Sequence, residues 1–274
     1  MSMSTAPGVS RSDVHVDDLP SAYVTPNVSP KKELSNLMVI ARRQLKGGAR
    51  PWFGISLASA TAFAAVLLHF HILSPELWRS GAVYASLPLK SELARLPMSL
   101  FLPTPYLPVW AASGQILIVF GLGEMIIGRW LTVMVATVGH FGSSLVAFVL
   151  LNAVHGSVFG LTPALAHALD TGPSAATTAV GACLLVAIRM KRCTWLLTLA
   201  LVAAALIAPG IDGVEHTVAL ACGLIAGASY RVVVSRNARV GSSSSRTRWS
   251  YVWLGLAQVF RLPRSAVAAM RGRS

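Results

Sequence analysis

Six nearly uncharged apolar stretches, each between 15 and 22 residues long, constrain this chain more than any other feature. They are Trp52–Ile72, Pro108–Ile127, Trp130–Leu151, Ser174–Ile188, Thr194–Ala208 and Val214–Val234. A bilayer core offers backbone N–H and C=O groups no water to bond. Apolar runs of this length are therefore read as helices, which satisfy their own backbone. The expected fold is all-α, a polytopic membrane bundle of six transmembrane helices. Composition agrees: charged residues make up 12% of the chain, against about a quarter in soluble domains. The fourth and fifth runs are short for a full span, and the neighbouring apolar stretch 156–169 reads as re-entrant or interfacial.

The net charge of +13 is compatible with nucleic-acid binding, but its distribution argues for membrane. Of the 23 Lys and Arg residues, 20 fall on one side of a six-helix topology and only Arg79, Lys90 and Arg95 on the other. The positive-inside rule then puts both termini in the cytoplasm. The basic side is expected to touch anionic lipid head groups rather than nucleic acid.

The domain organisation reads as a disordered, basic cytoplasmic tail over 1–50, a membrane domain over 51–235, and a basic cytoplasmic tail over 236–274. That last tail holds a candidate in-plane amphipathic helix around Trp249–Phe260. The first fifty residues contain no apolar run of signal-peptide type. The outer connection 73–107, semi-apolar and rich in proline, is expected to lie in the outer interface. Cys183, Cys193 and Cys222 show no metal or redox spacing. His69 and His71, two apart on a helix, do not face one another, so no metal site is expected. The spans also lack the paired charges and broken helices of an ion path.

The chemistry-bearing residues lie at two helix starts. The fourth helix opens with Asp170-Thr-Gly-Pro-Ser174-Ala-Ala, and the sixth with Asp212-Gly-Val-Glu-His216. Both helices run from outside inward in this topology, so Ser174 and His216 share a side and a depth. A hydroxyl needs a neighbouring base to become a nucleophile, and histidine is the commonest one. The start of helix four would offer unpaired N–H groups and positive dipole to an oxyanion. Gly223 and Gly227, four apart, would let helix six approach closely, and Gly172, Ala175 and Gly181 make helix four equally approachable. Ser174 alone reads as an ordinary helix-start residue; its pairing with His216 gives it weight. Asp170 either orients His216 or caps helix four. Glu124 and Arg129 are expected to fix the cytoplasmic end of helix two. Mid-span His140, near Ser143 and Ser144, is expected to make an interhelical hydrogen bond.

Together these motifs resemble the rhomboid family of intramembrane serine proteases, and in particular its divergent bacterial members with an Asp shortly before the Ser. The likeness rests on Gly172-Pro-Ser174, on His216-Thr-Val-Ala-Leu220-Ala-Cys-Gly223-Leu-Ile-Ala-Gly227, and on Phe120-Gly-Leu-Gly-Glu124-Met-Ile-Ile-Gly128. It covers about residues 50–235. It implies a Ser174–His216 dyad that cleaves transmembrane helices, without metal or cofactor, in a bacterial plasma membrane. Departures are equally specific. The family's His-x-x-x-Asn at the outer start of helix two falls on Pro108 and Ala112, which cannot donate; Gln115 is the only amide nearby. Thr178 stands where a Tyr is common. The Trp-Arg pair of the first loop has two candidates, Trp78-Arg79 and Ala94-Arg95. Losing one oxyanion donor costs about 10²–10³ in rate. The alternative function is therefore a catalytically silent relative that binds transmembrane helices and regulates their assembly or turnover.

Overall fold

A computed structural model describes residues 29–72, 74–84, 87–102, 108–153, 173–207 and 210–240. Among these the regular structure is helical: α1 (Pro30–Lys46), α2 (Trp52–His69), α3 (Pro75–Gly81), α4 (Leu89–Ser99), α5 (Val109–Ile126), α6 (Arg129–Ala153), α7 (Ser174–Ala187), α8 (Lys191–Ile207) and α9 (Ile211–Val240). Each of the six apolar stretches forms a helix. Four are long and apolar enough to cross a membrane: Trp52–His69, Val109–Ile126, Arg129–Leu151 and Ile211–Ser235. The protein is an all-α polytopic membrane bundle.

The short helix α7 is its centre. Ala176, Ala179, Val180, Ala182 and Cys183 are fully buried, and α7 packs against α5, α6, α8 and α9. Small side chains permit this, because four neighbours can close in only around a thin helix. Gly139 of α6 faces the Cβ of Ala179, and Gly123 of α5 lies between Thr132 of α6 and Val180 of α7. By contrast, α8 buries none of its side chains, and Trp195, Leu199, Leu206 and Ile207 lie on the outside of the bundle.

Contacts fix the helix directions. The two-residue joint Ile127-Gly128 reverses the chain between α5 and α6. Along α6, Thr132 sits at the level of Val180, and Gly139, seven residues on, lies against Ala179, where a Cβ would stand 3.8 Å from the Ala175 carbonyl oxygen. Contact positions thus rise on α6 as they fall on α7, so these two are antiparallel. Helices α5 and α7 are therefore parallel.

The expected disorder over 1–50 does not hold for residues 30–46, which form α1. Ser29 caps it by accepting from Lys32 N at 3.4 Å, and Glu33, Leu37, Ile40 and Ala41 bury one face. Four inward residues, diluted by six Lys and Arg between 31 and 50, gave too weak a period to register as a packing face. The proline-rich 73–107 connection likewise contains α3 and α4, with Ser74 capping α3 through Leu77 N at 3.2 Å. The 156–169 stretch and the C-terminal segment with its candidate amphipathic helix lie outside the described residues.

Candidate functional site

Among the described residues, α7 and α9 form the most extensive helix pair. Gly223 sits against the Ala179 carbonyl oxygen of α7, and a Cβ there would also lie 2.8 Å from Ala182 Cβ. One turn later, a Cβ on Gly227 would stand 2.6 Å from the Cys183 carbonyl oxygen and 2.8 Å from Val186 Cβ. Real Cβ atoms do not approach so closely, so glycine is required at both positions. The contacts advance by four residues on both helices, and α7 and α9 therefore run parallel.

This register gives the relative depth of the two chemical residues. His216 precedes Gly223 by seven residues, which returns it to the α7-facing stripe and puts it about 10.5 Å up the axis. Ser174 precedes Ala179 by five residues, about 7.5 Å up. The two thus differ in level by about 3 Å at 1.5 Å per residue. They differ in direction as well. Ser174 lies two turns before Gly181, where a Cβ would stand 3.9 Å from Val119 Cγ1 of α5, so it looks towards the α5 side of α7 rather than straight at α9. Both residues are partly exposed. Among the described residues no hydrogen bond joins them.

His216 has a different partner. Its Nδ1 lies 2.6 Å from the Asp212 carbonyl oxygen, one turn earlier in α9. A carbonyl can only accept, so Nδ1 carries the ring proton. A neutral His216 then presents Nε2 with its lone pair free, the protonation state a general base requires. The neighbouring Glu215 is buried.

Gln115 sits on α5 one turn above Val119, on the stripe that meets Gly181, and within about one helical turn of the level of Ser174. Pro108 precedes α5 and Ala112 is buried within it. The first-turn N–H groups of α7 at Ser174 and Ala175 have no intrahelical partner, and Pro173 supplies no side-chain cap. Asp170 and Gly172, the other expected members of the site, lie outside the described residues. The first-loop arginine Arg95 donates through Nη1 to the Ala82 and Arg79 carbonyl oxygens, at 3.3 and 3.5 Å, and stands over the Tyr84 ring. It holds the α3–α4 connection. Trp78 is buried beside Ala82 and Leu102.

A second Ser–His pair escapes sequence reasoning. Ser99, at the end of α4, lies 2.9 Å from His140 Nε2 of α6, and also bonds the Leu96 carbonyl oxygen at 3.0 Å. Ser99 and His140 are fully buried, so the pair has no access to a substrate and ties α4 to α6. The expected interhelical bond of His140 exists, but to Ser99; Ser143 turns back to the His140 carbonyl oxygen. No metal-binding cluster of His, Cys, Asp or Glu occurs among the described residues.

Compared with protein-family models, with curated proteins and with solved structures, the chain matches none.

Proposed function

We propose that this chain is an intramembrane serine protease of rhomboid type, with α2 and α5–α9 as its six spans. The observation that carries the reading is the parallel α7–α9 register, with Ser174 and His216 within about 3 Å in level. The proton assignment at His216 supports it. In this mechanism Nε2 of His216 takes the Ser174 proton as Oγ attacks a substrate carbonyl carbon. The tetrahedral oxyanion is held by the first-turn N–H groups of α7, with Gln115 on the facing α5 stripe as a side-chain donor. The same imidazole then returns the proton to the leaving amine, and water hydrolyses the acyl-enzyme.

Depth makes the chemistry workable. Helix α7 is 14 residues, about 21 Å long, so it cannot fill a hydrocarbon core of about 30 Å. If its C-terminal end is level with its neighbours', Ser174 starts about 9 Å inside the opposite edge. A substrate helix would be cut near its outer end. The charge distribution supports cytoplasmic termini, and the family resemblance implies a bacterial plasma membrane; reporter fusions at Ser29 and Ser242 test the orientation.

A second reading keeps the fold and drops the chemistry. Pro108 and Ala112 stand where donors would be, and Ser174 is rotated away from His216. These features favour a silent protein that binds transmembrane helices. Labelling of the full chain with a fluorophosphonate decides between the two. The protease reading expects labelling in the wild type that is lost in Ser174→Ala and His216→Ala. An unlabelled, folded wild type overturns it in favour of the silent reading.

A further inference from the structure

Among the described residues, the end of the bundle where α5, α7 and α9 finish carries more positive charge than its own acids can balance. Among them it has two carboxylates, and both are engaged by helix N-termini. Glu124 accepts from Phe53 N and Gly54 N of α2 and pairs with Arg129. Glu33 accepts from Arg192 N at 3.1 Å and Cys193 N at 2.8 Å, capping α8. Neither reaches Arg189 or Arg231.

Among the described residues those two arginines have no carboxylate partner. Arg231 is one turn beyond Gly227 on α9, which brings it to the C-terminal end of α7, where Arg189 follows. Their charges repel one another, and Arg231 Nε is buried with no hydrogen-bond partner. Arg189 is also strained. It occupies the left-handed position that ends α7, at φ 63°, where glycine is the unstrained choice. The corresponding α5–α6 turn uses Gly128, at φ 94°. A cation at a helix C-terminus complements the dipole, but that does not require it at this backbone position. Strain and unbalanced charge held side by side point to a ligand.

Helix α1 identifies the ligand. Its N-terminus lies beside the α7–α8 turn, since Glu33 caps α8 and Cys193 Sγ approaches the Pro30 carbonyl oxygen at 3.8 Å. Beyond the face buried on α5 and α8, a second apolar stripe of Leu34, Met38 and Leu45 is about half exposed. Lys31 and Arg42 border it. Apolar residues edged by cations, on a helix joined directly to a membrane span, suit the boundary between acyl chains and head groups. A soluble anion would have no use for the stripe. We propose that Arg189, Arg231 and the basic edge of α1 bind the phosphate of an anionic lipid in the leaflet at this end of the bundle.

The site does not depend on the protease reading, and Ser174→Ala should leave it unchanged. The test is thermal unfolding of the full chain in non-ionic detergent with phosphatidylglycerol, with phosphatidylcholine, or with inorganic phosphate. Phosphatidylglycerol is expected to raise the midpoint by on the order of 5 °C, and neither of the others to do so. Arg189→Gly relieves the backbone, so its lipid-free midpoint should equal or exceed that of the wild type while its lipid shift falls by at least half. Arg231→Gln should lose the shift as well. Equal shifts from phosphatidylcholine, or from inorganic phosphate alone, overturn the lipid site, as does a full shift retained in both variants.

Discussion

The Glu124 carboxylate on α5 accepts the backbone N–H of Phe53 at 2.6 Å, so one helix caps the start of another 71 positions away in sequence. The same oxygen reaches Gly54 N at 3.3 Å, and the other holds Arg129 Nε at 2.7 Å. Helix α2 opens at Pro51 with no side-chain cap of its own, which leaves its first donors for Glu124. Gly54 permits the crossing, because a Cβ there would stand 2.6 Å from Gly121 N.

Removing this cap should therefore be expensive. Glu124→Ala leaves the Phe53 and Gly54 donors and the Arg129 guanidinium without their acceptor, a loss of about 2–4 kcal/mol from cap and charged hydrogen bonds together. Glu124→Gln keeps one acceptor oxygen and should fall between. Urea or thermal unfolding in detergent checks the ranking. A Glu124→Ala protein as stable as the wild type would deny the cap its role.

The glycine contacts of α9 make a second ranking. Gly223→Ala drives a methyl group into the Ala179 carbonyl, and backbone cannot swing aside as a side-chain tip can. The expected cost is about 1–3 kcal/mol, the range for overpacking. Gly114→Ala meets nothing within 4 Å and should be neutral or stabilising through helix propensity, by up to about 1 kcal/mol. Equal midpoints for the two variants would contradict the close α7–α9 approach.

The same residues mark what sequence can carry. All six apolar helices were readable, because a helix in a bilayer is apolar over its whole length, whether it faces lipid or, like α7, its neighbours, and needs no partner to be recognised. Residues 30–46 were not: α1 buries only Glu33, Leu37, Ile40 and Ala41, and that pattern has meaning only beside α5 and α8. The role of Glu124 at the end of its helix was within reach of motif reasoning. Its acceptance of N–H groups from α2, and the matching role of Glu33 for α8, depend on three-dimensional register. So does the rotation of Ser174 towards α5. Depth follows from charge counting, but helical phase between two elements does not.

Ser99 and His140 provide a control for the candidate dyad. Ser99→Ala removes the partner of a fully buried imidazole whose Nδ1 is already unpaired. It should cost about 1–3 kcal/mol in stability. Fluorophosphonate labelling should be untouched, because Ser99 is inaccessible. Loss of labelling in folded Ser99→Ala, with labelling retained in Ser174→Ala, would move the reactive serine to α4.

Gln115 carries the last expectation, which belongs to the protease reading. With Pro108 and Ala112 unable to donate, its amide lies on the α5 stripe that meets α7, within about one helical turn of the level of Ser174. An oxyanion donor acts on the transition state more than on the bound substrate. Gln115→Ala should thus lower kcat by about 10²-fold or more while leaving KM within a few-fold. Gln115→Glu keeps the size but replaces the N–H donor with a carboxylate. It should be at least as damaging, since it adds negative charge where negative charge develops. Fluorophosphonate labelling of both variants should slow rather than vanish, because Ser174 and His216 remain. Steady-state cleavage of a fluorescent transmembrane peptide in liposomes provides both constants. Unchanged kcat in Gln115→Ala would leave the oxyanion to the α7 backbone alone; a rise in KM without a fall in kcat would make Gln115 a substrate contact instead.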